Sequence, residues 1–310
     1  MEFQSWLANS YERIRTGGLE GAKESARPVK HKLLSVGNRF RPDGTSIYER
    51  EWDLLIVLDA CRFDLFLEFT SEYNWMHTVG EIRSLDSATP YWMRKTFVDE
   101  HNPEIADTAY ICGNPFSKSE LNPANFGELI ELWRTAWIEP GTVPPEAVTD
   151  ETIRLIREKS HDRVIAHYMQ PHCPFISRPE LSQGKQIDKF GNQEWRDVWG
   201  LLRDDEIDLE TLWEGYKENL RLGLDEVDSL LSNVDADRVI VTSNHGNGIG
   251  EWGVYGHPPN LPLKNLRRVP WLKHKRKTSV IESLTIGDRQ RLKLTEKISF
   301  LRLAMLKSYL

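Results

Sequence analysis

In the stretch VIVTSNHGNGIGEWGVYGH (239–257), Asn244 and His245 stand side by side where an apolar run ends, and His257 closes the segment. Similar groups lie at the ends of other apolar runs. Asp59 closes DLLIVLDA (53–60), while His167 and His172 fall within and just beyond RVIAHYM (163–169). Carboxylate, amide and imidazole side chains are all metal-capable.

The elements that must carry them are short. The three runs DLLIVLDA, RVIAHYM and RVIVTSNHG (238–246) are β-branched or Leu-rich, which suits strands buried on both faces of a parallel sheet. DTAYICGN (107–114) is a fourth, less regular candidate. Between them, Tyr216, Leu220, Leu224, Val227 and Leu231 recur at helical spacing over 215–233. VTDETIRLIREKS (148–160) offers Thr149 as N-cap, with Ile153 and Ile156 on one side. Strands alternating with helices predict an α/β fold, with a mostly parallel central sheet flanked by helices on both faces. Ligands in such sheets bind beyond the carboxyl ends of the strands, so segments distant in sequence aim their polar groups into one crevice. Polar loops are expected over 113–147 and 177–212. The expected organisation is an N-terminal helical or extended segment (1–45), a main domain (46–275) and a C-terminal helical tail (276–310).

Composition narrows the partners. A chain of 310 residues with 39% hydrophobic and 28% charged residues is ordinary for a globular protein. A net charge of −7 argues against a general nucleic-acid binder. Cys61, Cys112 and Cys173 are odd in number and widely spaced, which suggests reduced thiols and a cytoplasmic setting. No apolar leader and no run of ~20 apolar residues is present, so a secreted or spanning chain is not expected. The basic run KHKRK (273–277) is either a solvated tail or a surface for anionic lipid or glycan phosphate, which leaves room for peripheral membrane contact.

Taken in order, five segments resemble the alkaline phosphatase/sulfatase superfamily: LIVLDACRFDLF, SLDSATPYWM, VIAHYMQPHCPF, VTSNHGNGIGEWGVYGH and LRRVPWL, across roughly residues 53 to 272. The resemblance implies a divalent ion (Zn, Mn, Mg or Ca) held by Asp59, Asn244 and His245, with His257 reaching a second ion or the substrate. It implies a hydroxyl nucleophile, either Thr89, placed at a helix start before Pro90 and YWMRKTF, or Ser87 two residues earlier. His172 or His167 would contact the transferring group or protonate the leaving oxygen. The segment LRRVPWL would be the closing edge strand. Neither Ser87 nor any of the three cysteines has Pro two residues on and Arg two further, so a formylglycine sulfatase is not expected. The implied activity is metal-dependent hydrolysis or transfer of a phosphate ester, on a small-molecule, glycan or lipid substrate.

Asn247 departs from the family pattern, which commonly has Glu there, and Asn244 departs more sharply, standing where the family has Asp. The swap removes a negative charge from the expected ligand set. Three readings follow: a single weaker or harder ion, an ion bound only with phosphorylated substrate, or a lapsed relative that serves as a binding or scaffold protein. Plainer roles stand beside these. His167 suits a satisfied interior histidine. Arg62 either reaches the transferring anion or pairs with Asp64 or Glu68. Trp92, Trp252 and Tyr255 either stack on a substrate ring or pack in the core.

Overall fold

The computed structural model describes residues 3–38, 43–158, 161–181, 187 and 197–274. In chain order its strands are β1 (Leu54–Leu58), β2 (Val79–Arg83), β3 (Thr108–Cys112), β4 (Glu128–Glu131), β5 (Arg163–Tyr168), β6 (Val239–Thr242), β7 (Gly248–Ile249), β8 (Tyr255–Gly256) and β9 (Arg268–His274). The helices are α1 (Phe3–Asn38), α2 (Phe63–Leu67), α3 (Thr89–Thr96), α4 (Asn102–Ala106), α5 (Ser117–Glu120), α6 (Pro145–Glu158), α7 (Val198–Arg203), α8 (Leu209–Asn233) and α9 (Lys264–Arg267).

Seven strands make one sheet in the order β2-β9-β6-β1-β5-β3-β4. The run from β6 to β4 is parallel, and β9 is antiparallel to both β6 and β2. Every residue of β1 is fully buried. Its Leu54, Ile56 and Leu58 pack with α6 and α8, through Val148, Leu155, Tyr216 and Leu220. Its Leu55 and Val57 pack in a second cluster with Trp92 and Met93 of α3. Alternate residues of one strand thus reach two cores, so helices cover both faces. Each such side chain contributes roughly 1.5–3 kcal/mol by leaving water.

Some expected boundaries move for local reasons. The helix expected over 215–233 starts earlier, because Asp208 caps it by accepting the Thr211 N–H at 2.7 Å. α6 begins at Pro145, a residue suited to a first turn, so Thr149 is not a cap. Its hydroxyl lies inside the helix and bonds the Tyr168 hydroxyl at 2.8 Å. The stretch 113–147, expected as loop, contains α5 and β4, and 177–212 contains α7. β9 is not the edge strand, because β2 pairs outside it. With Gly80 and Glu81 exposed, β2 has the composition of an edge.

Residues Met1–His274 make one compact unit. α1 breaks from helical geometry at Gly18 (φ 53°, ψ −126°), and its Leu34 packs on Val254, Leu261, Leu263 and Leu266. The helical tail expected over 276–310 lies outside the described residues. No described helix is long and apolar enough to cross a membrane.

Candidate active site

Four of the five parallel strands, β1, β3, β5 and β6, deliver a polar group at or just beyond the carboxyl end, where such sheets bind ligands. Asp59 follows β1, Asn114 follows β3, His172 lies just past β5, and Asn244 and His245 follow β6. Thr89 is the first residue of α3, with Pro90 behind it and Ala88 in extended geometry before it. Asp59, Thr89, Asn244 and His245 are all at most 1% exposed.

Asp59 is the hub. Its Oδ1 accepts from Asn244 Nδ2 at 2.8 Å and faces the Thr89 hydroxyl at 3.2 Å. Its Oδ2 accepts from Asn114 Nδ2 at 2.6 Å and lies 3.5 Å from His167 Nε2, an ion-pair distance longer than a hydrogen bond. Burial pushes the Asp59 carboxyl up, but the closeness and charge of His167, with charge from His172 and His245, hold it well below the usual carboxylate range. In turn, burial lowers His167 while Asp59 and Cys112 raise it, leaving it at about 9. His167 is therefore an interior partner of Asp59, fixed on its other side by the Tyr110 hydroxyl at 2.6 Å from Nδ1.

The Thr89 oxygen receives the Asn244 amide at 3.1 Å and lies 3.0 Å from His245 Nε2. The tautomer of His245 follows from its other nitrogen. Nδ1 is 3.0 Å from the Gly246 carbonyl, which can only accept, so Nδ1 carries hydrogen and neutral His245 offers a lone pair at Nε2. Burial lowers the basicity of this ring against the charge of Asp59. Gly246 is required here, since a Cβ would fall 2.2 Å from the Asn265 carbonyl oxygen.

A second pair of imidazoles borders this group. His172 Nδ1 bonds the Cys173 carbonyl, so the neutral ring accepts at Nε2 from His257 Nε2, 2.9 Å away. The His257 ring also stacks on His245, with centroids 4.6 Å apart. His257 thus contacts the other two histidines, while Thr89, Asn244 and His245 gather on Asp59.

Two expected residues are engaged elsewhere. The Ser87 hydroxyl donates to the Pro258 carbonyl at 2.6 Å and accepts the Leu261 N–H at 3.0 Å, which ties two loops together. Arg62 pairs with Asp64 at 2.6 Å and Glu251 at 2.7 Å, and donates to the Asn247 carbonyl. Its partner is Asp64, as one reading had it, and not Glu68. Trp92 is a core residue with its ring edge-on to His167, whereas Trp252 is 70% exposed. Sequence reasoning missed Asn114; the available signal was the Gly-Asn-Pro turn closing the fourth strand candidate.

The fit to a divalent ion was tested on these atoms. Ligands about 2.0–2.1 Å from a tetrahedral ion lie ~3.3 Å from one another. Asp59 Oδ1, Thr89 Oγ1 and His245 Nε2 are separated by 3.2, 3.0 and 3.6 Å, which suits three corners. The fourth corner is Asn244 Nδ2, a hydrogen-bond donor without a lone pair to give. Among the described residues, no group of three or more His, Cys, Asp and Glu side chains is arranged to hold a metal. The ligand set Asp59, Asn244, His245 and His257 does not fit an ion in this arrangement.

No protein-family model matches the chain, and no curated protein matches it. Among solved structures, the soluble domain of lipooligosaccharide phosphoethanolamine transferase A from Neisseria meningitidis is similar at 13% identity and a TM-score of 0.50, over 72% of this chain and 76% of that one. The C-terminal periplasmic domain of phosphoethanolamine transferase EptC from Campylobacter jejuni gives 13% and 0.49, over 74% and 80%. An alkaline phosphatase superfamily protein from Vibrio parahaemolyticus gives 12% and 0.38, over 80% and 69%. The chain shares the fold of the Neisseria transferase domain. Likeness at this identity speaks to the fold, and the chemistry must be read from the side chains.

Proposed function

We propose that this chain transfers or hydrolyses a phosphate ester through a covalent intermediate on Thr89. The observation that carries the reading is the environment of one oxygen. The Thr89 hydroxyl stands at the first residue of a helix, with the His245 lone pair 3.0 Å away and the Asn244 amide donating to it. The start of a helix favours an anion, and Thr89 would meet a phosphate there. As Thr89 Oγ1 bonds to phosphorus, its proton passes to His245 Nε2 and the ester P–O bond breaks. The Asn244 N–H stabilises the charge that gathers on Oγ1 before the new bond forms. The departing oxygen takes its proton from the His172–His257 pair in its singly protonated form, which leaves both imidazoles neutral. Water or an acceptor hydroxyl then releases the phosphoryl group from Thr89, giving hydrolysis or transfer.

The similar Neisseria protein is a phosphoethanolamine transferase, which supports a headgroup-bearing phosphodiester as the first substrate to try. A cytoplasmic setting remains part of the proposal, supported by three buried thiols, none of them in a disulfide; peripheral membrane contact is proposed on the basic run 273–277 alone. The test is acid-quenched reaction with p-nitrophenyl phosphodiesters and with phosphatidylethanolamine, followed by peptide mass spectrometry. The reading expects an adduct on Thr89 and loss of turnover in Thr89→Ala. Turnover that survives Thr89→Ala, without any adduct, would falsify it. A second reading, a binding protein without turnover, is favoured by the donor character of Asn244; phosphate-ester binding by calorimetry with no product would select it.

A further inference from the structure

We infer that the centre around Asp59 is a hydrogen-bonded one, from which a divalent cation is excluded by the orientation of a single amide, Asn244. This goes beyond the reaction proposed above and holds whichever ester is handled. The orientation is fixed by backbone groups. Asn244 Oδ1 accepts two N–H donors, those of Ala60 and His245, each at 2.9 Å. Neither backbone group can reverse polarity, so the amide oxygen must face them. The NH₂ group is left toward Asp59 Oδ1 at 2.8 Å and Thr89 Oγ1 at 3.1 Å.

Turning the amide over to offer oxygen to an ion would set its NH₂ against two N–H donors. All of these atoms are buried, so water cannot take up the lost partners. The residue cannot shift away either, because its own carbonyl accepts the Ser84 hydroxyl. Asp59 is meanwhile satisfied without an ion. Asn114 donates to one oxygen and Asn244 to the other, with the Thr89 hydroxyl beside it. The three corners that suit an ion therefore surround an N–H that already serves the same carboxylate. An aspartate at 244 would keep the two backbone bonds on one oxygen and turn a second, anionic oxygen into the fourth corner.

The test needs no turnover. Wild type, His245→Ala, Asn244→Asp and the double variant Asn244→Asp/His245→Ala are dialysed to equilibrium against Zn²⁺ and, separately, Mn²⁺, with and without inorganic phosphate, and bound metal is measured by elemental analysis. Thermal unfolding is followed in EDTA and in Zn²⁺. Wild type is expected to bind no more metal than its own His245→Ala variant, and to melt alike in both buffers. Asn244→Asp is expected to gain affinity by about 100-fold or more, to lose it in the double variant, and to melt below wild type in EDTA but recover in Zn²⁺. One equivalent bound by wild type and lost with His245→Ala overturns the inference, including binding that appears only with phosphate. So does an Asn244→Asp protein that is folded in EDTA and gains no metal. If that variant does not fold, the wild-type measurement decides alone.

Discussion

Replacing Asp59 with asparagine separates the two things its carboxylate does, and pH reads them apart. An asparagine offers one oxygen and one NH₂, whereas Asn114 and Asn244 each donate to a different carboxylate oxygen. Whichever way the new amide turns, one buried donor meets another donor, at a cost of about 1–3 kcal/mol. The second contribution is ionic. His167 is raised from 6.5 to about 9 in the fold, by Asp59 and Cys112 against burial. A group raised on folding adds stability that is complete below its unfolded value and is lost as pH climbs through the folded one. The window here is about 6.5 to 9, and the size is roughly 3 kcal/mol. Without the anion, burial keeps the imidazole neutral and this contribution disappears. Urea unfolding in EDTA should therefore show Asp59→Asn weaker than wild type by roughly 4–6 kcal/mol near pH 6, narrowing to about 1–3 kcal/mol above pH 9. A constant gap across that window refutes the pairing, and so does a variant that keeps the wild-type slope.

Further outcomes follow from the same geometry. Ser87→Ala should leave any Thr89-dependent turnover in place but cost about 1–3 kcal/mol in urea unfolding, because the Pro258 carbonyl and Leu261 N–H lose their shared partner. Arg62→Met should cost about 2–3 kcal/mol, less than a fully buried pair, since Asp64 keeps more than half of its exposure to water. A change in substrate affinity at unchanged stability would show that Arg62 serves the substrate after all. Gly246→Ala should fail to give soluble protein or should unfold with loss of more than about 3 kcal/mol, because its methyl meets a backbone oxygen that cannot turn aside. A stable Gly246→Ala protein would mean that this loop is not held as described.

Much of this was legible because strands buried on both faces leave continuous apolar runs. The runs at 53–60, 163–169 and 238–246 are β1, β5 and β6, and their polar ends meet in the candidate site. What the runs do not carry is donor and acceptor polarity. From sequence, Asn244 resembles a metal ligand with a missing charge, and only its contacts with two backbone N–H groups show that it presents nitrogen. Asn114 was invisible as a participant, since a lone amide in a Gly-Asn-Pro turn has turn formation as its default meaning. Ser87 and Thr89 are two residues apart in sequence; the loop carrying Pro258 and Leu261 engages Ser87 and leaves Thr89 to Asp59 and His245. β2 and β4 lacked an apolar run because each is an outer strand, and part of its side-chain set faces water.

The position of β9 sets an order of assembly during synthesis. It is the last described strand, yet it lies between β2 and β6, so neither of those strands has its full complement of partners until residue 274 has emerged. The segment just before it clasps both halves of the site. Arg267 donates to the Ser84 and Leu85 carbonyls on the loop leading to Thr89, and the Leu266 carbonyl accepts the Gly246 N–H beside His245. All the candidate site residues have therefore been synthesised by His257, but they become a site only some seventeen residues later, about 1 to 3 s of elongation. A nascent chain arrested in that interval leaves the four-residue edge of β6, Val239–Thr242, without its outer partner, the kind of bare edge that pairs with other chains.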